Sequence, residues 1–191
     1  CAGKDVKTRK EAKAVFLAQG NDDPRALCFG ALAGSWNADV TRLRRSAEMG
    51  FAFAQAHMCV AVETGGLERF TFASRAAAQG ERDGFYWLGD CYERAVGCER
   101  DWEKAKEKWL IAAKMENVAA MDICGCSIVG TDPQRWFWWG LAAARGSAQM
   151  FSMNFPKLVN HFESDPCLAP VVFLIGRALR GRIDAEKGEI F

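Results

Sequence analysis

The chain has 191 residues, of which 50% are hydrophobic and 26% charged, and its formal net charge is +1. A chain of this size can bury a core, and its near-neutral charge gives no overall attraction to nucleic acid or to an anionic membrane. No uninterrupted apolar run is long enough to span a bilayer, so we expect neither a nucleic-acid partner nor a membrane protein.

The hydrophobic pattern predicts helices along the chain, joined by short polar loops. Asp101 is well placed as the N-cap of one of them, because its carboxylate can accept hydrogen bonds from free backbone amides. Pro156 is expected to kink or shorten another. In chain order the helices are expected at 4–19, 25–32, 39–49, 51–62, 67–79, 84–95, 102–115, 118–129, 133–145, 147–162 and 168–180.

A short ending made of two small residues, a spacer and usually a glycine recurs along the chain. Its last residues lie at 20, 50, 80, 116 and 146, which are spaced 30, 30, 36 and 30 residues apart. Such a period indicates a repeat of helix pairs. The endings are a weak copy at Gly20, then Ser46-Ala47 to Gly50, Ala76-Ala77 to Gly80, Ala112-Ala113 to Glu116 and Ala142-Ala143 to Gly146.

The unit at 84–116 is the sharpest copy, with Leu88-Gly89 and Tyr92 in its first helix and Asp101, Trp109 and Ala112-Ala113 after it. This pattern resembles the Sel-one-like repeat, a relative of the tetratricopeptide repeat. Elsewhere the match is partial: Leu43 and Trp139 stand where this unit has Trp109. The copy that ends at Gly80 has Ala73 there, with Phe70 and Phe72 nearby, so its core must be filled differently. The matching residues are Gly84, Leu88, Gly89, Tyr92, Asp101, Lys104, Ala105, Trp109, Ala112 and Ala113.

The resemblance implies an all-α fold, a right-handed α-solenoid of about five antiparallel helix pairs in a single domain over 1–191. The chain begins at Cys1 without a methionine, and we expect it to be a fragment of a longer protein. The expected repeat units are 1–20 (a half-unit), 21–50, 51–80, 81–116, 117–146 and 147–181 (degenerate), with 182–191 as a tail or the start of a truncated unit.

The same resemblance implies a non-catalytic scaffold or adaptor that binds a protein segment in a concave groove lined by the first helix of each pair. Five of the nine implied groove residues are acidic, which favours a basic or mixed basic–apolar segment, although the carboxylates could simply keep this face soluble. The implied residues are Ala56, Val60, Glu63, Asp83, Tyr86, Asp90, Glu93, Asp122 and Cys126.

An aromatic run at 136–139 contains both core and candidate surface residues. Trp136 and Trp139 share a helix face, and Trp139 matches the core residue Trp109. Phe137 and Trp138 point elsewhere, so they are either covered by the C-terminal helices or form a secondary anchor for a partner.

Two cysteine pairs are the basis of an alternative interpretation, in which the chain is a thiol redox or metal-binding protein. Cys91 and Cys98 could pair across a loop, whereas Cys124 and Cys126 point to different faces of a helix. Neither pair has the C-x-x-C form of a metal or redox motif. A second alternative is a structural spacer or oligomerising arm of a longer chain.

Catalytic motifs are absent from the sequence. It has no glycine-rich phosphate loop and no nucleophile elbow, and the two histidines, His57 and His161, are interpreted as packed or half-exposed side chains rather than catalytic ones. We therefore expect no enzyme activity, no cofactor and no metal. The eight cysteines lie in a large alanine-rich chain rather than a small disulfide-rich one, so we expect reduced thiols and an intracellular, cytoplasmic location.

Overall fold

The computed structural model describes residue 11 and residues 22–33, 39–61, 65–128, 132–145 and 147. All regular structure within these residues is helical, which confirms the predicted all-α class. No helix of this part of the chain is both long and apolar enough to cross a membrane. The helices are α1 (Pro24–Leu32), α2 (Val40–Glu48), α3 (Ala52–Met58), α4 (Gly66–Ala78), α5 (Arg82–Arg94), α6 (Trp102–Lys114), α7 (Val118–Ile123), a π-helical segment (Cys124–Ile128) and α8 (Asp132–Ala144).

The helices alternate between the first and second helix of each pair, with α1, α3, α5 and α7 as first helices. The helices expected at 4–19, 147–162 and 168–180 lie outside the described residues, as do the terminal repeat units at 1–20, 147–181 and 182–191, apart from residues 11 and 147. The helix expected at 51–62 is shorter than predicted, because α3 ends at Met58 and a turn follows it.

Two compact parts, residues 1–105 and 106–191, make up the chain, and the division falls within α6. In the N-terminal part each helix from α1 to α5 packs against the next, and α3 also packs against α5. In the C-terminal part, α7 and the π-helical segment both pack against α8. A single domain over 1–191 and a right-handed superhelix remain predictions.

The recurring small-residue ending is a Schellman motif that closes each second helix. Gly50, Gly80 and Glu116 all have positive φ, at 95°, 79° and 68°. The next residue donates its backbone N–H to a carbonyl five residues back, which satisfies a free helix-end group. These bonds run from Phe51 to Ser46, Glu81 to Ala76, Asn117 to Ala112 and Ser147 to Ala142, with N···O distances of 3.2, 3.0, 3.0 and 2.9 Å.

Acidic and amide side chains begin several of the helices. The carboxylates of Asp23, Asp39 and Asp101 each accept a hydrogen bond from a backbone amide in the first turn that follows. Asn117 does the same for α7, accepting from the Ala120 amide at 2.7 Å. The prediction that Asp101 caps α6 is confirmed, and each such cap stabilises a helix by about 1 kcal/mol.

The core of the N-terminal part repeats every 30 residues on the first helices. Cys28, Met58 and Leu88 occupy equivalent places on α1, α3 and α5, and all three are buried. This recurrence fixes the register of the repeat, so residues 30 apart on these helices are structurally equivalent.

The second helices fill the core less regularly. Leu43 of α2 is buried, and its equivalent in α4 is the smaller Ala73. The neighbouring Phe72 is buried as well, and Phe70 packs edge-on against Tyr92 with ring centroids 5.7 Å apart. The prediction that the copy ending at Gly80 fills its core differently from the others, with Phe70 and Phe72 near the small Ala73, is confirmed.

Two glycines allow close packing of helices. A Cβ atom on Gly84 would lie 2.6 Å from the Cβ of Ala76, so α5 can approach the end of α4 only without a side chain there. In the C-terminal part, a Cβ on Gly125 would lie 2.2 Å from the indole ring of Trp139. Trp109 and Trp139 are both buried, as the sequence predicts.

Candidate binding surface

Four residues of α5 form one face of that helix, at spacings of three, four and three residues. They are Asp83, Tyr86, Asp90 and Glu93. Asp83, Tyr86 and Glu93 are half-buried, so part of each side chain can contact a ligand. The Tyr86 ring packs edge-on against Trp87, with centroids 4.9 Å apart, and this contact holds the tyrosine in place.

Asp90 is buried rather than exposed on this face. Its side chain is 9% exposed, and its carboxylate lies 2.8 Å from Nε of Arg94, one helical turn further on. The carboxylate is already neutralised within α5 and offers little surface to a partner. Asp90 therefore contributes to the structure of α5 more than to its accessible face.

The corresponding face of α3 is apolar. Ala56 is only 1% exposed, so its side chain is part of the core and is not available for a partner. Val60 lies in the turn directly after α3 and is 60% exposed. Glu63 lies outside the described residues.

A cluster of aromatic rings extends this apolar face, and we call it the aromatic cluster: Phe29, Phe51, Phe53 and His57. The three phenylalanine rings lie in mutual contact, with centroids 5.8 to 6.3 Å apart. His57 packs on Phe53 at 4.2 Å. Phe29 is 38% exposed, so the cluster reaches the surface.

Sequence reasoning missed the aromatic cluster. The 30-residue offset that relates Leu88 to Met58 also relates Asp83 to Phe53. Applying that offset from Asp83 would have added Phe53 to the expected binding residues.

His57 has one ring nitrogen engaged. Its Nδ1 lies 3.0 Å from the backbone carbonyl oxygen of Phe53. A carbonyl oxygen only accepts hydrogen bonds, so Nδ1 carries the proton in neutral His57 and Nε2 is an acceptor. This arrangement orients the ring against Phe53.

In the C-terminal part, the expected binding residues differ in accessibility. Asp122 is buried, and its Oδ2 accepts a hydrogen bond from the Ser147 hydroxyl at 2.6 Å. Cys126 lies on the π-helical segment and is exposed. Phe137 is exposed and packs edge-on against the half-buried Trp138, with centroids 5.4 Å apart.

The thiols of the two candidate cysteine pairs differ in burial. Cys91 and Cys124 are buried, and burial raises the pKa of each thiol to about 12. Cys98 is half-buried, and desolvation also raises its pKa. Its thiol donates a hydrogen bond to the backbone carbonyl of Cys91 at 3.4 Å. The described residues contain no group of three or more His, Cys, Asp or Glu side chains that could hold a metal ion.

Two solved structures are similar to this chain. A Sel1 repeat protein from Oxalobacter formigenes aligns with a TM-score of 0.59 and 22% sequence identity, over 66% of this chain and 42% of that protein. The protein c5321, a protective antigen present in uropathogenic Escherichia coli strains and displaying an SLR fold, aligns with a TM-score of 0.65 and 18% identity, over 85% of this chain and 39% of that protein. No protein-family profile and no curated protein sequence matches the chain.

These structures define the class of the protein as an all-α helical-repeat solenoid. The fold is similar to that of these Sel1 repeat and SLR-fold proteins, in line with the resemblance that the residues at 84–116 carry. At 22% and 18% identity the likeness extends to the fold alone, and the chain spans about two fifths of each of these proteins.

Proposed function

We propose that the chain is a non-catalytic protein-interaction scaffold, and that the face formed by α3, the turn after it and α5 binds a segment of another protein. The observation that carries this proposal is the exposure of apolar side chains at both ends of α3: Val60 in the turn after it, and Phe29 of α1, which packs on Phe53 near its start. Val60 and Phe29 are exposed on a surface whose neighbouring residues form a well-packed core. Exposed apolar groups that lie together mark binding sites more often than scattered ones do.

The fold supports a scaffold because stacked helix pairs present an extended surface and need no catalytic centre. The residues of the proposed face are held by the core behind them: Met58 and Leu88 are buried beneath α3 and α5. A surface fixed in this way loses little conformational entropy when a partner binds.

The thiol alternative receives less support from the cysteine environments. A thiol with a pKa of about 12 is almost wholly protonated at neutral pH, and the thiolate is the form that reacts with disulfides or binds metals. Cys91 and Cys124 both have such raised pKa values because they are buried. Each candidate pair therefore contains one unreactive member.

Site-specific photo-crosslinking tests the proposed function. A peptide library displayed on phage is selected against the purified chain, and the enriched peptides are synthesised. A photoreactive phenylalanine analogue replaces either Tyr86 on the proposed face or Arg75, which is exposed on the second helix α4. We expect the peptides to crosslink from position 86 and not from position 75. Failure to enrich any peptide, or crosslinking from position 75 alone, would contradict the proposal.

A further inference from the structure

The proposed face has two chemically different sides. The α3 side is apolar, with Phe53 and the exposed Val60, and it continues into the aromatic cluster. The α5 side carries the carboxylates of Asp83 and Glu93 and the ring of Tyr86. Because α3 packs against α5, and Phe53 and Asp83 occupy equivalent repeat positions, the two sides lie next to each other.

The acidic side keeps a carboxylate that its own helix does not neutralise. Arg82 lies 3.5 Å from Asp83, and Arg94 pairs with Asp90. Half-buried Glu93 makes no ion pair with any residue that the structure describes. This carboxylate is partly accessible, so a positive group on a partner could form a charge-assisted hydrogen bond with it.

The aromatic cluster favours the same kind of ligand. The faces of phenylalanine rings attract cations through their quadrupole, and they also bind apolar side chains. A partner with only apolar residues would leave Glu93 unpaired, and a partner with only basic residues would leave Val60 exposed to water. One segment that carries both kinds of residue satisfies both sides.

We infer that the occupant of this face is a protein segment in which an apolar residue and a lysine or arginine lie close together in sequence. The apolar residue contacts Val60, and the basic residue pairs with Glu93, whereas Asp83, about 15 Å earlier along α5, adds to the negative charge of this side. This inference rests on the proposed function and specifies its partner.

Helix geometry sets the spacing between the two residues. Packed helices lie about 8–10 Å apart, and an extended segment rises about 3.3 Å per residue. An extended segment that crosses from the α3 side to the α5 side therefore covers the distance in about three residues. The expected pattern is an apolar residue and a basic residue separated by no more than about four positions.

The test is a parallel phage-display selection against three proteins. The first is the unaltered chain, the second carries Asp83→Lys and Glu93→Lys, and the third carries Glu48→Lys and Glu107→Lys. The third protein has the same change in net charge, but its substitutions lie on exposed positions of the second helices α2 and α6. Thermal unfolding of each protein checks that it folds, and the neutral variants Asp83→Asn and Glu93→Gln replace the second protein if it does not.

We expect the unaltered chain and the Glu48/Glu107 variant to enrich peptides with the apolar–basic pattern. The Asp83/Glu93 lysine variant should instead enrich peptides with an acidic residue in place of the basic one. A peptide selected on the unaltered chain should lose affinity for this variant about tenfold or more, because like charges then face each other. The neutral variants should weaken binding of the same peptide without creating a preference for acidic residues.

Two outcomes distinguish failure of this inference from failure of the proposed function. Peptides that crosslink from position 86 but lack basic residues, or bind the Asp83/Glu93 variant equally well, would overturn the inference and leave the proposed function intact. If no selected peptide crosslinks from position 86, the proposed function itself fails.

Discussion

At the scale of single residues, Asp122 is a buried carboxyl group with only one satisfied oxygen. Ser147 donates a hydrogen bond to Oδ2, and Oδ1 has no hydrogen-bond partner among the described residues. Burial raises the pKa of the Asp122 carboxyl, and the bond from Ser147 opposes that rise only partly. The ionised form is therefore less favourable in the folded chain than in the unfolded one.

This pKa shift predicts the pH dependence of stability. A carboxyl group whose pKa is raised on folding contributes stability below its unfolded pKa of about 3.9, and loses it as the pH rises through the folded value. The variant Asp122→Asn should therefore be more stable than the unaltered chain at pH 7, with the difference shrinking towards pH 4. Melting temperatures of both proteins across this range measure the effect. An equal difference at both ends of the range would show that ionisation of Asp122 is not its cause.

Asp90 illustrates the limit of residue spacing as a guide to accessibility. Its spacing from Tyr86 and Glu93 correctly indicates the helix face on which it lies. Residue spacing does not show how deeply a side chain is buried. Asp90 is buried, and its carboxylate pairs with Arg94. Reversing the charge of Asp90 would disturb this pair, so the binding tests use Asp83 and Glu93.

At the scale of elements, the ends of the second helices share one backbone conformation. Gly50 and Gly80 adopt positive φ without penalty, because glycine has no Cβ. Glu116 adopts the same conformation at the end of α6, which is unfavourable for a residue with a side chain by about 1–2 kcal/mol. Its carboxylate pairs with Arg145, but exposed ion pairs contribute only about 0–1 kcal/mol.

The strained backbone of Glu116 at the end of α6 therefore predicts a stabilising substitution. Glu116→Gly should raise the free energy of unfolding by about 1 kcal/mol, because relief of the backbone strain exceeds the loss of the ion pair with Arg145. The matched change Gly80→Ala should lower it by about 1 kcal/mol, since alanine is strained at positive φ. Urea unfolding measures both variants. A destabilised Glu116→Gly variant would mean that the side chain of Glu116 contributes more than its backbone costs.

These helix ends also explain how the sequence predicts the fold. The glycines at 50 and 80 recur because the Schellman motif needs a left-handed residue there, so their period reports a structural unit directly. The buried residues Cys28, Met58 and Leu88 follow the same period. Chemically different residues can fill the same packing position in successive repeats. The 30-residue period is therefore easier to recognise in the sequence than any single residue type.

At the scale of the whole molecule, the fold was easier to predict than the binding surface. Among the residues predicted to bind a partner, Val60 is exposed and Tyr86 and Glu93 are half-buried, whereas Ala56 and Asp122 are buried. Helix periodicity determines the direction in which a side chain leaves its helix. Whether that side chain is accessible depends on neighbouring helices that are distant in sequence. The aromatic cluster arises from α1, α3 and the residue before α3, and no single helix pattern contains it.

The proposed binding site is the face formed by α3, the turn after it and α5, rather than exposed apolar surface in general. Val60 and Leu67 provide a matched pair, because both are exposed aliphatic residues, at 60% and 71%, and Leu67 lies at the start of the second helix α4. Their replacement by arginine adds the same charge and a side chain of the same size at each place.

The most direct measurement is the dissociation constant of one display-selected peptide for Val60→Arg and for Leu67→Arg, each compared with the unaltered chain by isothermal titration calorimetry. We predict a loss of about tenfold or more for Val60→Arg, equivalent to about 1.4 kcal/mol, and little change for Leu67→Arg. Unchanged affinity for Val60→Arg, or a larger loss for Leu67→Arg, would contradict the assignment of the binding site to the first helices.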